Sequence, residues 1–264
     1  VRRLLIGLVA TVMTLIVAAT AADFGSAIYA EYRWARGVRT ANHLGFDPWV
    51  SILGFPFSTQ ARNHHYKEVE IRAAGVEHPV VGKVSLEATL HDIDLTQTSW
   101  LIGADAKLPV GEVESRIIVD STHVGRFMGI KDLLVEAPEK ESNDSPNTTE
   151  SGISENHGLI FTGTPPSIGF DKKVSVSVDL SLTGEDQSTL VFTATGILTG
   201  AGTADQTVPD DRLAAVLAAF SSQMPGLKLP FAVAPTSEGA RGSDIIIEGI
   251  TTGVTVAVNG LRQS

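Results

Sequence analysis

The sequence contains no cysteine, which excludes disulfide staples, thiolate metal sites and cysteine nucleophiles. The short motifs that announce catalysis are also missing: there is no G-x-S-x-G elbow, no H-E-x-x-H helix and no glycine-lysine phosphate loop. Gly200-Ala201-Gly202 opens like a dinucleotide fingerprint, but Thr203-Ala204-Asp205 brings no third glycine and the segment reads as a loop. Positive charge is scarce. Only 20 Lys and Arg stand against 30 Asp and Glu, a formal net charge of -10, and such a chain repels phosphate backbones, so no nucleic-acid partner is expected. No cofactor or metal is expected either. His91, Asp92 and Asp94 resemble a ligand set, yet neighbouring residues on a strand point to opposite faces. His64-His65 reads as a solvated pair.

What is present begins with an apolar run. Arg2-Arg3 precedes residues 4 to 22, which hold no charged side chain. Basic residues before such a run mark a signal peptide or a signal anchor. Ala19-Thr20-Ala21 fits the small-x-small cleavage pattern, while the run also approaches the ~20 residues that span a bilayer. Both outcomes stay open. Either way the expected location is outside the cytoplasmic membrane, in the periplasm or cell envelope, secreted or anchored by residues 1–22. Residues 23–264 then form the functional domain.

The charge imbalance is uneven. Glu136, Glu139, Glu141, Asp144, Glu150 and Glu155 against Lys140 carry half of it. The surrounding stretch, 138–156, is rich in Ser, Asn, Thr and Pro without periodicity and reads as a disordered acidic loop.

Hydropathy periods give the remaining elements. From Asp23 to about Leu44, Phe24, Ile28, Tyr32, Ala35 and Val38 recur at helical steps, with Arg33, Arg36 and Arg39 between them. In Gly54-Phe55-Pro56-Phe57, extended backbone would put both rings on one face. Val69, Ile71 and Ala73 alternate with charged residues as a half-buried strand does. Val84, Leu86, Ala88 and Leu90 keep one parity, which slips before Ile93 and Leu95 and suggests a bulge. A further strand is predicted over 113–119 and a helix over 123–135, with Val124, Phe127, Met128, Lys131 and Leu134 on one face. Val174 to Leu182 alternates most clearly, and Gly184 to Ser188 turns it into a second strand through Leu190, Phe192 and Ala194. Pro209-Asp210-Asp211 caps a helix bearing Leu213, Val216, Leu217 and Phe220 at i, i+3, i+4 and i+7, stopped by Pro225-Gly226. Strands are predicted over 227–233, 244–250 and 253–258. The class is α+β, with two runs of antiparallel strands, each followed by an amphipathic helix.

Gly54-Phe55-Pro56-Phe57-x-Thr59-Gln60, then Tyr66-x-x-Val69-x-Ile71 and Gly75-Val76, resembles DUF2993, an actinobacterial envelope family that includes the mycobacterial lipomannan elongation factor. The order of the later parts is similar to that family too, through Leu229-Pro230 and Ile247 to Gly249. Two departures stand out: His64-His65 occupies a place where glycine is common, and the acidic stretch looks inserted. The resemblance implies a tubular lipid-binding (TULIP-like) fold, a curved antiparallel sheet wrapped around long amphipathic helices. It implies phospholipid or phosphoinositide-type partners, a membrane surface, and a place beside the envelope glycosyltransferase machinery that extends lipoglycans.

The expected function is non-enzymatic lipid binding. Candidate lining residues are Phe55 and Phe57 at the entry, Phe127 and Met128 on one helix, and Leu213, Leu217 and Phe220 on the other; core packing explains the same residues. The alternative is a scaffold for envelope enzymes, docking through the acidic stretch or the arginine-bearing helix.

Overall fold

A computed structural model describes residues 2–137 and 157–262. The acidic stretch 138–156 therefore lies outside the described residues. The fold is α+β, as the periodicities predict, and the described residues form two antiparallel sheets of six and five strands. This arrangement is consistent with a TULIP-like fold. By contacts the chain forms two units: Val1–Arg72, Thr89–Val113 and Thr252–Gly260 make the first, and Ala73–Ala88, Glu114–Thr251 and Leu261–Ser264 the second.

The first unit is built on α1 (Arg2–Asn42), a single helix that carries the apolar run and continues past it. Strand β1 (Trp49–Leu53) pairs antiparallel with β2 (His65–His78), Val50 opposite Ile71 and Ile52 opposite Val69. The short helix α2 (Phe57–Arg62) lies between them. β1 is an edge strand, and an edge presents unpaired N–H groups that need cover. α1 packs along it and supplies an acceptor: the Ile52 N–H donates to Glu31 Oε1 at 2.8 Å. At its far end, Asn42 Nδ2 donates to Val38 O and Val258 O, both at 2.8 Å.

The buried side of α1 differs from the one its apolar spacing predicts. Asp23, Ala30, Trp34, Ala35, Val38 and Asn42 face inward. Phe24, Ile28 and Tyr32, which the period also marks, are half or more exposed. Small residues such as Ala30 and Ala35 let the helix approach β1 closely, and Trp34 fills the remaining space.

β3 (Gly82–Asp94) and β4 (Lys107–Asp120) extend the larger sheet, which β10 (Ser237–Arg241) and β11 (Asp244–Ala257) complete in the order β1-β2-β3-β4-β11-β10. The parity slip in β3 is real. Asp92 takes φ +52° and is exposed between buried Leu90 and buried Ile93, so the alternation changes parity there. Gly111 sits across from it, where an added Cβ would lie 3.0 Å from Asp92 Cβ.

In the second unit, helix α3 (Ser121–Met128) is much shorter than the predicted 123–135 helix. Asp120 caps it, accepting from the Thr122 N–H at 2.7 Å, and Gly129 ends it at φ +76°, a left-handed cap natural to glycine. Leu134 then belongs to β5 (Leu134–Glu136), which pairs with β6 (Leu159–Gly163). β7 (Val174–Thr183) and β8 (Thr189–Leu198) form the predicted hairpin, and β9 (Ser222–Met224) completes the five-stranded order β5-β6-β7-β8-β9. Helix α4 (Asp210–Ala219) has Pro209 as its N-cap, with no capping side chain. Asp210 and Asp211 lie instead in its first turn, where their charge favours the positive helix end. α4 stops at Ala219, before the predicted Pro225-Gly226 signal, because Ser222 already enters β9.

No strand forms over 227–233. A 3-10 turn occupies Pro230–Ala232, with Phe231 at φ +59° and Ala232 at φ +56°. Pro230 has no N–H for a ladder, and its carbonyl accepts from the buried Ser115 Oγ at 3.0 Å. The last two predicted strands are one, β11 (Asp244–Ala257), preceded by β10 (Ser237–Arg241). Ile245 to Gly249 are all buried, so this part of β11 is covered on both faces. Gly249 has no room for a side chain, since an added Cβ would overlap the Ala234 carbonyl.

Candidate lipid-binding site

The motif that opens at Gly54 is a hydrogen-bonded corner. Gly54 takes φ +103°, and an added Cβ would lie 3.0 Å from Gln60 Nε2. That nitrogen donates to Leu53 O at 3.2 Å and to Gly54 O at 2.9 Å, while Gln60 Oε1 accepts from the Lys67 N–H at 2.9 Å. One buried side chain thus joins the end of β1, the corner and the start of β2. Gln60 belongs to the sequence motif, but its role becomes visible only here.

Phe55 and Phe57 do not share a face. Phe57 begins α2, so the alternation of extended backbone ends there. Phe57 is 3% exposed, with its ring 5.8 Å from Tyr66 and edge-on to Trp100 at 6.0 Å. Phe55 is 65% exposed and stacks on Phe24 of α1 at 5.8 Å. Tyr66 is wholly buried between Phe57 and Trp34; its hydroxyl donates to Trp100 O at 2.6 Å, and burial pushes the phenol's pKa up. Trp34 Nε1 is buried and has no hydrogen-bond partner among the described residues.

Asp23 completes this corner from α1. Its carboxylate accepts from the Phe57 N–H at 2.8 Å and from the Ser58 N–H at 2.7 Å. Pro56, the residue before α2, has no side chain able to cap, and Asp23 takes that role from 34 positions away. Nothing local in the sequence signals it.

The other candidates belong to the second unit. Phe127 and Met128, at the end of α3, are half-buried. On α4, Leu213 is 38% exposed, Leu217 is half-buried, and Phe220 is fully buried just past the helix end. α3 packs on β5 and α4 on β8, three strands apart in the smaller sheet. The two helices therefore meet that sheet towards opposite edges.

An open groove of about 470 Å³ lies at the end of α1, lined by Arg36, Arg39, Thr40, His43 and Leu44. Arg36 donates to the Tyr32 hydroxyl at 2.9 Å, and Arg39 pairs with Asp47 at 3.3 Å. Its cationic lining suits an anion and not an acyl chain. Of the residues considered for a metal, Asp94 accepts from the Thr96 N–H at 2.8 Å and Asp92 lies 3.4 Å from His65.

A family model described as LmeA-like phospholipid-binding matches residues 21–250. The chain belongs to this family. It is the family known as DUF2993. Comparisons with curated proteins and with solved structures gave no significant match. For an LmeA-like chain, the Gly54 corner acquires a place: it sits where α1 leaves its apolar segment, and it holds that helix to the sheet through Asp23.

Proposed function

We propose that this protein binds and handles a phospholipid at the outer face of the cytoplasmic membrane, in support of lipoglycan elongation, and that it acts by binding and not by catalysis. The family match over residues 21–250 carries this reading. The apolar segment of α1 supports it: its mean hydropathy is 2.4 with none of that window buried in the protein. Arg2-Arg3 ahead of the segment favours leaving the rest of the chain outside.

Lipid handling has a physical demand. Each CH₂ of an acyl chain is worth about 0.8 kcal/mol on burial, so a ~16-carbon chain exposed to water costs on the order of 10 kcal/mol. A protein that takes such a chain out of a bilayer has to offer apolar lining. Phe127, Met128, Leu213 and Leu217 remain the proposed lining, being apolar and incompletely covered by protein. Phe57 and Phe220 are the deeply buried members of the set, and each packs the core of its own unit.

Native mass spectrometry of the full chain purified from membranes tests the reading. Bound phospholipid that exchanges preferentially with one headgroup class, phosphatidylinositol being the first to try, is the expected result. A protein that is empty in every preparation and shows no headgroup preference overturns it. Lipoglycan chain length in a strain lacking the protein tests the second half, and unchanged chains would remove that role alone.

A further inference from the structure

Three large apolar side chains beside the end of the apolar segment of α1 point outward. Phe24 is 55% exposed, Ile28 63% and Phe55 65%. Single exposed apolar side chains are ordinary, but the Phe24 and Phe55 rings stack on one another, and Ile28 lies one helical turn along from Phe24. They also continue a surface that is already apolar, since residues 4–22 are almost entirely exposed.

Lengths place this group at a definite level. Residues 4–22 extend roughly 28 Å at 1.5 Å per residue, close to the ~30 Å thickness of a hydrocarbon core. Phe24 falls just beyond, at the level where aromatic belts sit. Ile28 lies about 6 Å further along the axis, within the headgroup layer. Phe55 shares the level of Phe24 because their rings stack. The loop cannot swing away, because Asp23 holds the Phe57 and Ser58 N–H groups and Glu31 holds Ile52. No linker separates the apolar segment from the rest of the first unit, because α1 is one continuous helix. Charge agrees: from residue 4 to residue 30 the sole charged side chain is Asp23, whose carboxylate is turned into these bonds.

We infer that Phe24, Ile28 and Phe55 form a docking surface for the interface of the bilayer that holds residues 4–22, with the Phe55 loop resting among headgroups and the upper acyl carbons. The inference deepens the proposed function and rests on its reading of residues 4–22 as a membrane segment. It puts the Gly54 corner at the bilayer surface, where a phospholipid is within reach of the folded chain.

The chain has no native cysteine, so single-site labelling is direct. Full chains carrying Phe55→Cys or Phe24→Cys are labelled with a nitroxide and reconstituted in vesicles of phosphatidylcholine and phosphatidylglycerol. Thr40→Cys, about 24 Å further along α1, is the aqueous reference. Collisions with oxygen should exceed those with a nickel chelate several-fold at positions 55 and 24, and the ratio should invert at 40. A position-55 probe as open to the nickel chelate as the reference overturns the docking. So does a probe shielded from both reagents, which marks a protein contact such as a second copy. A chain that does not stay with the vesicles overturns it as well. Native mass spectrometry of the same samples separates the two readings. Retained phospholipid with an aqueous probe removes the docking alone, while lost phospholipid with an oxygen-accessible probe supports docking and removes lipid binding.

Discussion

The carboxylate of Asp23 caps the helix that begins at Phe57, reaching its first two N–H groups across 2.8 and 2.7 Å. An aspartate at the end of one apolar segment thus replaces the missing cap of another element. Since Pro56 offers no side-chain acceptor, these N–H groups would otherwise lack a capping side chain.

Asp23→Ala should destabilise the folded chain by about 1 kcal/mol, the ordinary worth of an N-cap. Asp23→Asn should recover only part of that, because its amide oxygen accepts from one of the two N–H groups while its amide nitrogen, a donor, faces the other. Urea unfolding of the detergent-solubilised full chain reads both. An Ala variant as stable as the parent would show that water caps α2 equally well.

The two phenylalanines of the motif should behave differently. Phe57→Ala removes a ring buried among Tyr66 and Trp100 and should cost about 3 kcal/mol or more. Phe55→Ala removes an exposed ring and should change stability by no more than about 0.5 kcal/mol. Its effect should appear instead in membrane depth. Equal losses of stability would contradict the separation of the two rings.

Acid should weaken the cap of α3. The hydrogen bonds of Thr122 to Asp120 hold that carboxyl below its usual range. Between the folded and unfolded pKa values the unfolded chain binds more protons, so stability rises with pH there. The contribution is complete above about pH 4, near the unfolded aspartate value, and is lost as pH falls through the folded one. Asp244 works in the opposite sense, its pKa raised by burial and then by the Asp120 charge. Comparing parent and Asp120→Asn isolates the effect: the Asn variant, which still caps, should show a flatter loss of melting temperature below pH 4. Parallel curves would rule out Asp120 as a source of acid sensitivity.

The half-buried candidates of the second unit should separate lipid occupancy from folding. Met128→Ser and Leu217→Ser are expected to lower the fraction of lipid-bound protein in native spectra while retaining a cooperative unfolding transition. Phe220→Ala, at a fully buried site, should instead cost about 3 kcal/mol or more of stability. Full lipid occupancy in both serine variants would return Met128 and Leu217 to ordinary packing.

The sequence by itself determined the elements whose cause is local. The apolar segment of α1, the alternation of β7 and β8, and the slip in β3 all appear in one dimension, because a strand or helix repeats its burial at a fixed period. The slip even locates Asp92, where the backbone turns left-handed. Boundaries set by a single backbone angle were less legible: α3 ends at Gly129, although the apolar spacing runs on to Leu134. Only the tertiary structure decided which side of α1 is covered. Phe24, Ile28 and Tyr32 keep the helical period as well as Trp34 and Val38 do, and period alone does not tell a face that meets β1 from one left open. The same holds for Asp23 and Gln60. Their partners are backbone groups without side-chain identity, and for Asp23 they lie 34 and 35 positions away, so a pattern in residue types carries no trace of the pairing. The chain makes it in three dimensions, where the buried Phe57 N–H needs an acceptor.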